Sequence, residues 1–98
     1  MSITEYRHTD GLRRWELLYE GIYLVLLNDK APVEQSKKLY AFKGMSSLAW
    51  ELDPLFDEND FIVNVWVEKG DLWAGCWRCI DFKINHKTGE VLLKKQTN

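Results

Sequence analysis

The sequence predicts an all-β protein, an antiparallel meander of seven or eight strands folded into a small β-sandwich or a partly open barrel. Three observations carry this. Turn-forming residues break the chain at short intervals, at Glu20-Gly21, Asn28-Asp29-Lys30-Ala31-Pro32, Lys43-Gly44, Asp53-Pro54, Lys69-Gly70 and Thr88-Gly89. Gly, Pro, Asn and Asp are the residues with which a backbone reverses most readily. Between the breaks lie apolar or alternating segments of strand length, the spacing of an all-β domain. Finally, the 98 residues suffice for one core and not for two, since a core of this size buries only about two thirds of the surface that the unfolded chain exposes. Residues 1–98 are therefore read as one domain, with 1–10 as a flexible lead-in.

Taken in order, strands are expected near 13–19, 22–27, 38–42, 48–52, 61–67, 72–77, 79–84 and 90–94. One short helix is expected, either near 9–18 or near 32–38. The first has Thr9 or Asp10 as an N-cap and Leu12, Trp15 and Leu18 at three-residue spacing; the second has Pro32 at its first helical position. In Ile22–Leu27, IYLVLL, both parities are apolar, so this strand is central with both faces covered. In FIVNVWV, Phe61, Val63, Val65 and Val67 make one apolar face and leave Ile62, Asn64 and Trp66 opposite. The same count separates Leu72, Ala74 and Cys76 from Trp73, Gly75 and Trp77, and a hairpin between these two strands brings their aromatic rings together. Val25, Phe61, Val63, Val65, Phe82 and Ile84 are the predicted core.

Composition narrows the function classes. Hydrophobic residues make up 46 %, charged residues 29 % and aromatics 13 %, the balance of a folded chain and not of a disordered tail. A net charge of −2 provides no general attraction to phosphate backbones or anionic lipid, which disfavours nucleic acid as a partner. Basic residues cluster only briefly, at Arg13-Arg14, Lys37-Lys38 and Lys94-Lys95. The opening MSITEYRHTDGLRR is charged where a signal peptide needs an apolar run, and IYLVLL is far too short to cross a bilayer. A cytoplasmic location without membrane association is expected, with Cys76 and Cys79 as reduced thiols.

Few motifs carry chemistry. Cys76 and Cys79 form a CxxC, but the flanks read as strand and not as the helix N-terminus that activates a redox thiol. A zinc site needs four ligands, and only His8 and His86 are left to complete one. No catalytic residue, metal or cofactor is therefore assigned. The acidic run WELDPLFDEND places Glu51, Asp53, Asp57, Glu58 and Asp60 within a short stretch that contains no Lys or Arg, so it is either a solvated loop or an acidic prong for a basic partner. Trp15, Trp50, Trp66, Trp73 and Trp77 exceed what one small core requires. Of these, Trp66, Trp73 and Trp77 suit either the core or a recognition surface.

An internal echo links KLYAFKGMSSLAWEL with DLWAGCWRCIDFKINHKTGEVL. The second segment, through Leu72, Trp73, Ala74, Ile80, Asp81, Thr88, Gly89 and Glu90, resembles one blade of the quinoprotein-type β-propeller; Leu39, Tyr40, Ala41, Phe42 and Trp50 match in the first. Two partial blades cannot close a propeller, so no quinone cofactor is implied. In size, acidity and Trp-rich β character, with YAF…G…LAWEL followed by LWAGCW, the whole chain also resembles the small immunity proteins of bacterial toxin systems. That resemblance implies a protein that binds and blocks one cognate toxin, often a nuclease. The leading expectation is an immunity or inhibitor protein, not an enzyme, that covers a basic cleft. Asp53, Asp57, Glu58 and Asp60 would meet its cations, and Trp66, Trp73 and Trp77 would serve as apolar anchors. A self-associating, homodimeric structural β-domain is the alternative, and a small metal or thiol protein using the CxxC the third.

Overall fold

Two consecutive four-stranded meanders build the chain, and a computed structural model describes residues 3–54, 60–78 and 80–96 of it. The first sheet has the order β1-β2-β3-β4, with β1 Arg13–Tyr19, β2 Ile22–Leu27, β3 Leu39–Lys43 and β4 Ser47–Leu52. The second has the order β5-β6-β7-β8, with β5 Ile62–Glu68, β6 Asp71–Cys76, β7 Ile80–Ile84 and β8 Val91–Gln96. All pairings are antiparallel. The sheets stack face to face as a sandwich and do not close into a barrel. Glu20-Gly21 and Lys69-Gly70 have positive φ at both positions, the two-residue turn whose twist matches that of the strands it joins.

The α-helix among the described residues is α1, Val33–Ser36, inside the second of the two expected positions. No α-helix forms over residues 9–18, where β1 runs from Arg13. Alternation wins there because a strand can both pair with β2 and turn Leu17 and Tyr19 onto the core, which three-residue spacing cannot do on a sheet. The echo segments occupy β3–β4 and β6–β8, which are different places within their sheets.

Leu24, Leu26, Leu39, Ala41, Trp50 and Leu52 of the first sheet meet Ile62, Val65, Leu72, Ala74, Phe82 and Ile84 of the second in the main core. IYLVLL has both faces covered, as its composition requires. Leu24 and Leu26 enter that core, while Val25 and Leu27 join Tyr40, Phe42, Ala31, Ile3 and Tyr6 in a second cluster on the outer face of the first sheet. The chain before β1 forms this cover. Residues 3–9, read from the sequence as flexible, bridge to β4 at Glu5 and Ser47 and form a 3₁₀ turn over Tyr6–Thr9. The fully buried Thr9 donates to the Tyr6 carbonyl at 2.6 Å and accepts from Arg13 at 2.8 Å, while the Tyr6 hydroxyl donates to Glu16.

The second sheet corrects one expectation. Ile62 pairs with Cys76 and Asn64 with Gly75, so Val63 is the extra residue of a bulge. One extra residue inverts the alternation on one side of it. Ile62 and Val65 are both buried, Val63 is half-buried, and Phe61 is 39 % exposed. Phe61 thus leaves the predicted core. Val65 keeps its inward place, and Val67 on the same side is exposed at the hairpin end.

Trp50 is the buried indole of the set, held by a hydrogen bond from Nε1 to the His86 carbonyl at 2.8 Å. Its ring lies against Gly89, where an added Cβ would stand 2.7–2.9 Å from ring atoms and φ is +78°. Gly89→Ala is therefore expected to cost about 2–4 kcal/mol, from left-handed backbone strain plus overpacking against a ring that cannot withdraw. Gly44→Ala also has a positive φ but no atom within 4 Å of its Cβ, and it should bear only the backbone cost, roughly 1 kcal/mol. Urea midpoints of the two variants read the difference; equal midpoints would show that the Trp50 contact carries no weight.

Candidate functional site

The two-residue turn Lys69-Gly70 sets the β5–β6 register and places Trp66 directly opposite Trp73. Both point away from the core, because Val65, Leu72, Ala74 and Cys76 point into it. Their ring centroids are 6.4 Å apart and the planes differ by 10°. Gly75 makes room for this pair. A Cβ there would lie 3.3 Å from the Trp66 ring and 2.9 Å from Oδ1 of Asp81, so any larger residue would push the indole off the sheet.

The row continues across the sheet from Trp73 to Lys83 and from Lys83 to the half-exposed Leu93. Beside it run Asn64, Gly75, Asp81 and Lys95. Burial raises the Asp81 carboxyl above its usual range; the Lys95 ammonium across the strand offsets this and Glu68 adds to it. The two hydrophobic clusters of the described residues lie between the sheets and beneath residues 3–9, and neither covers this face. Residues 3–9 thus cover the centre of one sheet's outer side, while the other sheet carries an open aromatic pair.

Trp77 is placed elsewhere. It follows Cys76 in the β6–β7 turn, donates its N–H to the Phe61 carbonyl at 2.9 Å, and is 74 % exposed at the mouth of a groove of about 560 Å³. Neither Trp66 nor Trp73 lines that groove. The three tryptophans grouped by the sequence therefore divide between two surfaces.

The acidic run divides as well. Asp53 is exposed but within 3.6 Å of Lys38, which also reaches Glu51 at 3.2 Å. The compensating cation is absent from the run itself and arrives from the residue just before β3. Asp60 is 1 % exposed, so it does not stand on a surface prong. Its Oδ1 accepts from the Phe61 N–H at 2.8 Å, and its Oδ2 has no hydrogen-bond partner among the described residues. Asp57 and Glu58 lie outside the described residues.

Cys79 also lies outside them. Cys76 is buried, and burial pushes its thiol up to about 12, with the Asp60 carboxylate beside it and Asp81 adding in the same direction. A redox or metal-binding thiol needs the opposite shift. His86 packs its ring edge-on to Tyr19 at 5.1 Å, and His8 lies near Thr4 and Glu5 at the far end of the lead-in. No group of three His, Cys, Asp or Glu able to hold a metal ion occurs among the described residues, and no described helix is long and apolar enough to cross a membrane.

These features define a small all-β sandwich with one partly covered and one open outer sheet face. The chain belongs to the family described as Domain of unknown function (DUF7957), whose model matches residues 13–96, from the start of β1 to the end of β8. No curated protein and no solved structure matches it.

Sequence reasoning missed the groove. Its described lining comes from β1, the end of β2 with the residues after it, α1, the start of β5 and the β6–β7 turn, five segments with no linear motif in common. The one signal within reach was Trp77 beside Arg78 in a turn, where a large ring has no sheet to pack on.

Proposed function

We propose that the chain is a non-catalytic protein-binding domain of the immunity or inhibitor kind, acting in the cytoplasm on a cognate toxin or another basic enzyme. The contact surface in this reading is the outer face of β5–β8. What supports it is the near-parallel Trp66–Trp73 pair on a sheet face that neither hydrophobic cluster covers, while residues 3–9 cover the centre of the matching face of the other sheet. Indoles exclude much water on contact and have few rotamers to lose, which is why they dominate interface energetics. The net charge of −2, with Asp57 and Glu58, would speed encounter with a basic partner; Asp53 is paired with Lys38 and the buried Asp60 takes no part.

The test uses three purified baits in extracts of the source cells: the parent, Trp73→Ala, and Leu18→Ala as a control on the exposed side of β1. A stoichiometric partner should be held by the parent and by Leu18→Ala. Trp73→Ala should weaken it by about 2 kcal/mol or more, roughly 30-fold, with an unchanged circular dichroism spectrum. Equal retention by all three would remove the sheet face from the interface. A parent dimer that Trp73→Ala splits in sedimentation, with no partner found, would replace the inhibitor reading by self-association.

A further inference from the structure

Where the edge strands β1 and β5 approach one another at one end of the sandwich, the groove of about 560 Å³ opens to solvent. Its volume lies within the range of about 300–1,000 Å³ typical of small-molecule sites, and its composition follows theirs, a mostly apolar lining with a few converging polar groups. Phe61 and Trp77, joined by a backbone hydrogen bond, present large apolar side chains at 39 % and 74 % exposure. Neither ring packs into the core clusters, so burying either against a ligand removes apolar surface from water at no cost to the fold.

Arg14 supplies the charge. Its Nη1 donates to the Val63 carbonyl at 3.3 Å, the outward carbonyl at the β5 bulge, and among the described residues it makes no ion pair. That bond holds the guanidinium at the groove and leaves its remaining N–H donors for a ligand. Arg78 lines the same groove, and Asp29 is the single carboxylate among its described lining residues. Arg14 is thus a cation without an ion-pair partner among the described residues, on a chain whose net charge is −2. Asp29 also sets the charge that fits. It repels a doubly charged phosphate more strongly than a carboxylate, for which the planar guanidinium is the matching donor.

We propose that this groove is a binding site for a small amphipathic carboxylate, with a flat apolar body against Phe61 and Trp77 and its carboxylate on Arg14. The site is separate from the Trp66–Trp73 face, and neither assignment depends on the other.

The full chain, labelled with nitrogen-15, is titrated with 1-naphthylacetate and, separately, with the uncharged 1-naphthylacetamide. Among the five indole N–H resonances, the Trp77 signal is identified by its loss in Trp77→Phe. The expected result is a saturable shift of the Trp77 and Arg14 signals with the acid, the Trp66 and Trp73 signals staying in place. The amide should bind at least about tenfold more weakly, and so should the acid to Arg14→Met, about 1.4 kcal/mol in each case. Arg14→Lys should fall between, since it keeps the charge and loses the planar fork. Arg14 and Trp77 are exposed, so the rest of the spectrum reports directly whether each variant stays folded. Absence of saturation, equal affinity for acid and amide in the parent, or a shift pattern centred on Trp66 and Trp73 would overturn the assignment.

Discussion

Phe82→Ala should lower the unfolding free energy by about 3–5 kcal/mol, whereas Phe61→Ala should lower it by less than about 1 kcal/mol. Phe82 is fully buried in the main core, in register with Ala74 on β6 and Lys94 on β8, so its removal loses transfer energy and leaves a cavity that two paired neighbours cannot close. Phe61 has the same side chain but precedes the Val63 bulge and opens on the groove at 39 % exposure. A small domain has only about 5–15 kcal/mol in total, so Phe82→Ala will be close to unfolded and Phe82→Leu serves as the milder variant. Urea midpoints at constant slope provide the comparison. Similar losses for the two alanine variants would mean that β5 runs without its bulge and that Phe61 lies inside.

Stability should also fall steeply in alkali. Burial pushes the Cys76 thiol from an ordinary 9.0 up to about 12, and pushes Tyr40 from 10.0 up to about 12, with Glu51 and Asp53 adding to the latter. Tyr6 is raised in the same direction, first by its hydrogen bond to Glu16 and then by burial. In each case the folded state holds a proton that the unfolded chain releases earlier. The stabilisation is therefore complete below the unfolded value and is lost as pH rises through the folded one. For Cys76 the window runs from pH 9.0 to about 12, and for Tyr40 from 10.0 to about 12. Within its window each group contributes a slope of about 1.4 kcal/mol per pH unit. Urea midpoints measured from pH 8 upward should stay level and then fall, and Cys76→Ala, less stable at neutral pH, should fall less steeply. A parent midpoint unchanged between pH 9.0 and 11, or identical slopes in parent and variant, would place the thiol in contact with water.

Turn chemistry and period-two patterning determined the fold class and most of the strand plan. Each turn at Glu20-Gly21, Lys43-Gly44, Lys69-Gly70 and Thr88-Gly89 separates two paired strands, because these residues enforce a local backbone geometry wherever they stand. The doubly apolar IYLVLL announced a strand covered on both sides, and the alternation in β6 announced that Trp73 and Leu72 lie on opposite faces; which of them faces out was decided by the packing of the sheets. The Trp66–Trp73 pair followed from the same count once the hairpin was assumed.

Other features were decided only when distant segments met. Alternation presupposes an unbroken ladder, and the Val63 bulge breaks it. Its outward carbonyl is taken by Arg14 of β1, and the neighbouring Ile62 N–H donates to Lys37 at 3.0 Å, partners 49 and 25 residues away. No local pattern encodes such partners, so Phe61 read as core and lies at a groove. The acidic run read as uniform because its residues look alike in one dimension. Lys38, immediately before β3, pairs with Glu51 and Asp53, and Asp60 is buried beside Cys76. Residues 3–9 read as a lead-in because polar or charged side chains interrupt them, yet Ile3 and Tyr6 find a second cluster whose other half, Val25, Leu27, Tyr40 and Phe42, is assembled from β2 and β3. Turns and alternation are short-range properties of the backbone and are legible in sequence; bulges, burial of charge and the covering of a sheet face depend on which surfaces the finished fold brings together.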